Sequence, residues 1–261
     1  MIKTKDQITE EISQLAKQKE YALPDVRTFS QIVFNELLKK HKLNEKERNY
    51  IIDNFSFLLE EYRNLSWTIS QKLQEERYMK MYKHIVSEQI KEKNIEESKI
   101  ADFLLNDREI FLYKYQLDMS LTQSYRSRTG TSFEHIIEYL FNLLNYEFET
   151  QTADVQGKPD FLFPNKKLYM SNPSECIIIG AKTKIRERYR QIVNEGNKET
   201  RHFCFTLGED LTIDVIEGAK QLDLYFVIPS EVKISKYKMN DIFSYEEFIK
   251  NVLEPFHTES D

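Results

Sequence analysis

Three residues have types and spacing suited to one chemistry: Asp160 directly after Pro159, Lys182 at the end of an apolar run, and Glu195 thirteen positions later. Hydrolysis of a phosphodiester needs a divalent cation, and hard cations take carboxylate oxygens as ligands. An ammonium close to the attacking water and the phosphate stabilises the negative charge that builds there. Each residue also has a plainer reading. An aspartate often opens a strand, a lysine often ends one in solvent, and a glutamate near a helix end is often solvated.

Pro159-Asp160 followed by Lys182 resembles the core of the PD-(D/E)XK nuclease pattern, whose second carboxylate stands two residues before the lysine. Here that position is Gly180. Period-two alternation puts Ile178, Gly180 and Lys182 on one strand face, so an acid is missing where one is wanted. A glycine leaves a hole, and a carboxylate from the next helix, Glu195, is expected to enter it. In that helix Tyr189, Ile192 and Val193 make a buried stripe, while Arg188, Gln191 and Glu195 make another.

Between Lys182 and Arg190 five basic residues and one acid give a local charge of +4, in a chain with 37 basic and 43 acidic residues and a net charge of −6. Arginine bonds guanine O6 and N7 in bidentate fashion, and glutamate accepts from cytosine N4. Arg186-Glu187-Arg188 at a helix start could therefore read G and C edges beside a cleaved phosphate. The competing reading is a solvated helix start with Glu187 placed by the helix dipole.

The elements that must position these residues fall into two styles. All six glycines (Gly130, Gly157, Gly180, Gly196, Gly208, Gly218) follow residue 129, and Pro24 is the only proline before Pro159. Without glycine tight hairpins are hard to make, so the front half is expected to be helical. Apolar stripes at helical spacing support this: Ile32, Phe34, Leu37 and Leu38, then Tyr50, Ile51, Phe55, Leu58 and Leu59 after Asn44 as a cap. Further stripes run through 65–92 (Leu73, Met79, Ile85) and 98–125 (Ile100, Phe103, Leu104, Phe111).

From residue 130 the period changes. Thr131-Ser132-Phe133-Glu134 reads as a capping box opening a buried helix. Candidate strands follow at 146–151, 160–163, 176–181, 202–206 and 223–228, with helices at 186–194 and 213–220 and a last one capped by Ser244 through Glu247. The expectation is an all-helical region over 1–125 and a mixed α/β domain over 126–261.

Composition narrows the rest. No apolar run reaches the ~18 residues of a membrane helix. The start of the chain lacks an apolar signal core. Cys176 and Cys204 read as reduced thiols of a cytoplasmic protein, and five scattered histidines give no structural zinc motif.

Lys182 through Arg186-Glu187-Arg188 to Glu195, with Gly157-Lys158-Pro159-Asp160-Phe161 upstream, resembles the type II restriction endonucleases of the EcoRII, SsoII and PspGI group. The resemblance covers roughly 120–230, about the size of one domain. It implies a restriction-endonuclease-like mixed sheet flanked by helices, and a Mg²⁺-dependent endonuclease cutting double-stranded DNA at palindromes built on CC and GG, with 5′-phosphate products. It implies that Asp160, Glu195 and Glu134 bind metal, that Lys182 serves the water and the phosphate, and that Arg186, Glu187 and Arg188 read the CC/GG pairs. Glu134 fits the capping box as well.

Further roles follow from the same resemblance. Arg63 and Trp67, four residues apart, match an arrangement that stacks a flipped central nucleotide; a lone tryptophan also suits a core or a dimer interface. Gln123 matches a minor-groove reader, and Arg126 and Arg128 suit phosphate contacts. A palindrome implies a homodimer, with the helical region giving dimer contacts and DNA approach, and restriction implies a protecting DNA methyltransferase as partner. Two other readings stay open on the residues alone: a repair or junction-cleaving nuclease of the same fold, and a non-catalytic helical DNA-binding or interaction protein.

Overall fold

Two long helices dominate the glycine-free half, Phe55–Glu92 and Arg108–Leu143. The computed structural model describes residues 3–152, 155, 158–185, 192, 199–208, 210–237 and 241–258; the side chains of 124–131 and of 257 and 258 lie outside that description. In chain order the helices are α1 (Lys5–Lys17), α2 (Val26–His41), α3 (Arg48–Asp53), α4 (Phe55–Glu92), α5 (Ile100–Asn106), α6 (Arg108–Leu143), α7 (Lys166–Ser171), α8 (Ile213–Lys220), α9 (Ser230–Lys236), α10 (Tyr245–Phe248) and α11 (Glu254–Thr258).

The capping box expected at Thr131 is not a helix start. Helix α6 runs through it without a break, Gly130 included. A glycine inside a helix costs about 1 kcal/mol. Buried side chains on both sides of it, Tyr113 and Leu117 before and Phe133, Ile136, Ile137 and Leu140 after, each contribute more than that. Asn44 is likewise not a cap: it lies in a 3₁₀ turn, and α3 begins after Glu47. The box at Ser244 does form, with Ser244 accepting from Glu247 N–H and Glu247 reaching back.

The chain divides into two units. One comprises Met1–Phe29 and Leu65–Thr129; the other comprises Ser30–Asn64 and Gly130–Asp261. The helices of residues 30–64 thus belong with the sheet.

The first unit is helical. Thr4 and Gln7 cap α1 reciprocally, and Ile8, Ile12, Leu15, Met81, Ile85, Tyr113 and Leu117 form its core. Lys93 bridges Asp107 and Glu109 at 2.8 Å each.

The second unit holds a six-stranded sheet among the described residues: β1 (Glu149–Thr150), β2 (Phe161–Phe163), β3 (Ile177–Ala181), β4 (Arg201–Phe205), β5 (Leu224–Ile228) and β6 (Ile242–Ser244), in that spatial order. The pairs β1–β2 and β2–β3 are antiparallel, and β3 through β6 are parallel. All five residues of β3 are buried, the mark of a strand covered on both faces.

Phe141 of α6 anchors one cluster in this unit. Its ring lies 5.3–6.0 Å from those of Phe55, Tyr146, Phe148, Phe161, Phe163 and Phe205, mostly edge to face. Ile185, Ile192, Cys204, Ile216, Leu224 and Phe226 belong to a separate buried cluster. Among the described residues no helix is long and apolar enough to cross a membrane.

Candidate active site

The antiparallel step from β2 to β3 builds the site. Register pairs Phe161 with Ile179, so Asp160, one residue before β2, meets the end of β3. There Asp160 Oδ2 accepts from the Ala181 backbone N–H at 2.8 Å and from Lys182 Nζ at 2.6 Å. The Lys182 backbone N–H in turn donates to the Phe205 carbonyl at 2.9 Å, which extends the β3–β4 ladder and fixes the base of the side chain. Asp160 is a buried charge, and these partners are what its burial requires.

Helix α6 supplies the third group. Glu134 Oε1 lies 3.9 Å from Lys182 Nζ. Burial pushes the Glu134 carboxyl up to about 7; the charge of Asp160 adds to this and the Lys182 ammonium opposes it. Three residues from three separate parts of the chain therefore meet in the sheet-bearing unit. The unbroken course of α6 also removes the helix-capping reading of Glu134.

A fourth neighbour was not evident from the sequence. Gln151 Nε2 donates to Asp160 Oδ1 at 3.3 Å. The β1–β2 register, Glu149 with Leu162 and Thr150 with Phe161, places Gln151 opposite Asp160 when continued by one step. The signal was the pairing register, which the sequence does not print.

Gly180 behaves differently from expectation. The space over it is filled by Ile192: a Cβ built on Gly180 would lie 2.7 Å from Ile192 Cδ1 and Cγ1. The hole is thus taken by an apolar side chain, and Glu195 itself lies outside the described residues.

The remaining expected residues separate into two groups. Arg186, Glu187, Arg188 and Glu195 lie outside the described residues. Arg63 and Trp67 lie on α4 and Gln123 on α6; Trp67 is 47% exposed and Gln123 is exposed, so the tryptophan is not a core residue.

The donor set suits a hard divalent cation. Asp160 and Glu134 bring two carboxylates close enough for one charge to raise the other's pKa, an excess of negative charge that a cation would relieve. Among the described residues no three His, Cys, Asp or Glu side chains converge on one point. The two carboxylates would therefore hold a cation together with water or substrate oxygens, or with a carboxylate outside the described residues.

Comparison with known proteins identifies the family and the fold. Residues 78–249 match the family described as EcoRII C terminal. The chain is 26% identical over 224 residues to the type II restriction enzyme SsoII of Shigella sonnei, covering 81% of this chain and 72% of that enzyme. It is 31% identical over 118 residues to the type II restriction enzyme EcoRII of Escherichia coli, covering 43% of this chain and 29% of that longer enzyme. Among solved structures, metal-depleted Ecl18kI with uncleaved, modified DNA superposes with a TM-score of 0.77 at 23% identity, over 99% of this chain and 86% of that one. A PspGI–substrate DNA complex gives 0.63 at 17% identity, over 94% and 97%. The buried Asp160–Lys182 pair thus stands in a restriction-endonuclease fold, and the chain belongs to the EcoRII C-terminal family of type II restriction endonucleases, site-specific deoxyribonucleases.

Proposed function

We propose that this enzyme cuts both strands of duplex DNA at a palindrome built on CC and GG, of the form CCNGG or CCWGG, with Mg²⁺ as cofactor and 5′-phosphate and 3′-hydroxyl products. The observation that carries the reading is Lys182 Nζ lying 2.6 Å from Asp160 Oδ2 with Glu134 beside them. That is an ammonium and a carboxylate at adjoining strand ends, with a second carboxylate brought in by helix α6.

In this reading Asp160, Glu195 and Glu134 hold the cation, which supplies Lewis-acid charge at the scissile phosphate. Lys182 orients the attacking water and places positive charge where the pentacovalent phosphate gathers negative charge. Gln151 and the Ala181 N–H keep Asp160 in position. Glu195 follows Ile192 by three residues, one turn in helical spacing, and Ile192 is held against Gly180. That spacing supports Glu195 as the carboxylate missing from β3.

Arg186, Glu187 and Arg188 read the CC/GG edges in the major groove, Gln123 reads the minor groove, and Trp67 with Arg63 receives a flipped central nucleotide. The exposed ring of Trp67 supports a partner-facing role. The enzyme acts as a homodimer in the cytoplasm, each copy on one half-site, and a DNA methyltransferase protects the host's own sites.

Plasmid DNA incubated with the enzyme and Mg²⁺, followed by sequencing of the ends, tests the reading. Discrete fragments whose ends share a CC/GG palindrome are expected. Cleavage only at junctions or lesions overturns the site assignment. Asp160→Ala is expected to lose cutting while keeping specific binding, and an active Asp160→Ala enzyme overturns the metal assignment.

A further inference from the structure

The helical unit contains an open cleft of about 640 Å³ bordered by α1, α4 and α6. Its charged lining is of one sign: Lys5 and Lys17 on α1 and Arg77 on α4, with no aspartate or glutamate among the lining residues, in a protein whose net charge is −6. Ser13 and Ser120 add hydroxyl donors.

Gln116 of α6 also lines the cleft. It is only 8% exposed, and its Nε2 has no hydrogen-bond partner among the described residues. A buried amide donor left unmade costs free energy unless something outside the chain accepts from it. Arg77 is oriented by an Nη2 bond to the Ala16 carbonyl at 3.3 Å, so its guanidinium is held in place at the cleft wall. The ammonium and guanidinium groups can only donate, and the Gln116 amide and the serine hydroxyls add further donors. The ligand that matches a cationic, donor-rich lining accepts at its oxygens and carries negative charge.

The geometry points to a phosphate-binding site, occupied by a backbone phosphate of bound DNA. The family's DNA binding supplies the polyanion, and the open cleft is far larger than a single free anion requires. Asp160, Lys182 and Glu134 belong to the other unit, so the contact uses none of the residues placed at the scissile phosphate. Phosphate contacts position a protein on DNA without reading sequence. The site therefore raises affinity for all duplexes alike.

The test is the salt dependence of metal-free binding to two duplexes of equal length, one with the CC…GG palindrome and one of random sequence. Lys5 and Lys17 are exposed, so Lys5→Ala/Lys17→Ala leaves the fold intact, and a matching thermal melt checks this. The log–log slope is expected to become shallower by roughly 2 on both duplexes, with the same loss of affinity, about tenfold or more, on each. Gln116→Met, which removes the buried amide donor, is expected to weaken both duplexes equally without changing the slope.

An unchanged slope and affinity overturns the proposal, as does a loss confined to the palindrome. Saturable binding of inorganic phosphate to the DNA-free protein, lost in the variant while DNA binding stays the same, overturns it in favour of a free-anion site. Failure of the CC/GG reading is seen separately, as no preference between the duplexes in the unmutated enzyme, and leaves the slope change untouched.

Discussion

Ile192 sits directly against the backbone of Gly180, with its Cδ1 and Cγ1 only 2.7 Å from where a Cβ would be. Contact this close is possible only because position 180 has no side chain, and it seats Ile192 on β3. The glycine that breaks the carboxylate pattern is therefore a packing residue.

Gly180→Ala is accordingly expected to cost roughly 1–3 kcal/mol through overpacking. Ile192→Ala alone opens a cavity and is expected to cost about 2–5 kcal/mol. The double variant should be less destabilised than the two costs added, since each change relieves the other. Urea denaturation of the four proteins reads the coupling directly. Strict additivity would show that the two residues do not compete for one space.

Asp160 and Lys182 were legible in the sequence because each bounds a short continuous apolar run, 161–163 and 176–181, that reads as a buried strand. Glu134 was visible only through family resemblance, since its local pattern read as a cap; the structure shows α6 passing straight through. Gln151 needed the β1–β2 register, and the contact of Ile192 with Gly180 needed a helix-on-sheet distance. Neither is encoded in spacing. Helical periodicity placed Met79 and Phe111 in stripes, yet both are exposed, because period marks a face and not whether another element covers it. Strand β6, only three residues long, is too short for alternation to show.

Acid should weaken the helical unit through Lys93. Burial acts to raise the Asp107 and Glu109 carboxyls, but bonds from the Lys93 ammonium and from backbone N–H groups outweigh it and hold both below their usual values. Carboxyls depressed in the folded state contribute stability that is present above the unfolded pKa, ~4, and is lost as pH falls through the lower folded values. Lys93→Met should lose roughly 2 kcal/mol at pH 7 and show a shallower decline between neutral pH and acid. Urea melts across that range measure both. An unchanged acid slope in the variant would remove Lys93 as the cause.

Thiol chemistry offers a check on packing. Cys176 and Cys204 are free and buried. Burial pushes the Cys176 thiol up to about 11, with the Glu175 charge adding and Arg201 opposing. A thiol without thiolate character and without access does not react. Ellman's reagent at pH 8 is therefore expected to label neither cysteine in the native enzyme and both in urea. Rapid labelling of the native protein would contradict the burial.

Trp67 is the chain's one tryptophan and is half exposed on α4, so intrinsic fluorescence reports a single position. If a flipped central base stacks on its ring, binding of the palindrome should quench and shift the emission, while a random duplex should do neither. Stacking is worth about 1–3 kcal/mol per base, so Trp67→Ala should weaken binding to the palindrome by roughly tenfold to a hundredfold. 2-Aminopurine at the centre of the site should brighten on binding to the unmutated enzyme and brighten less with Trp67→Ala. Dimerisation is read in the same variant by sedimentation. A protein that falls to monomer while 2-aminopurine still brightens would assign Trp67 to the subunit interface instead of the flipped base.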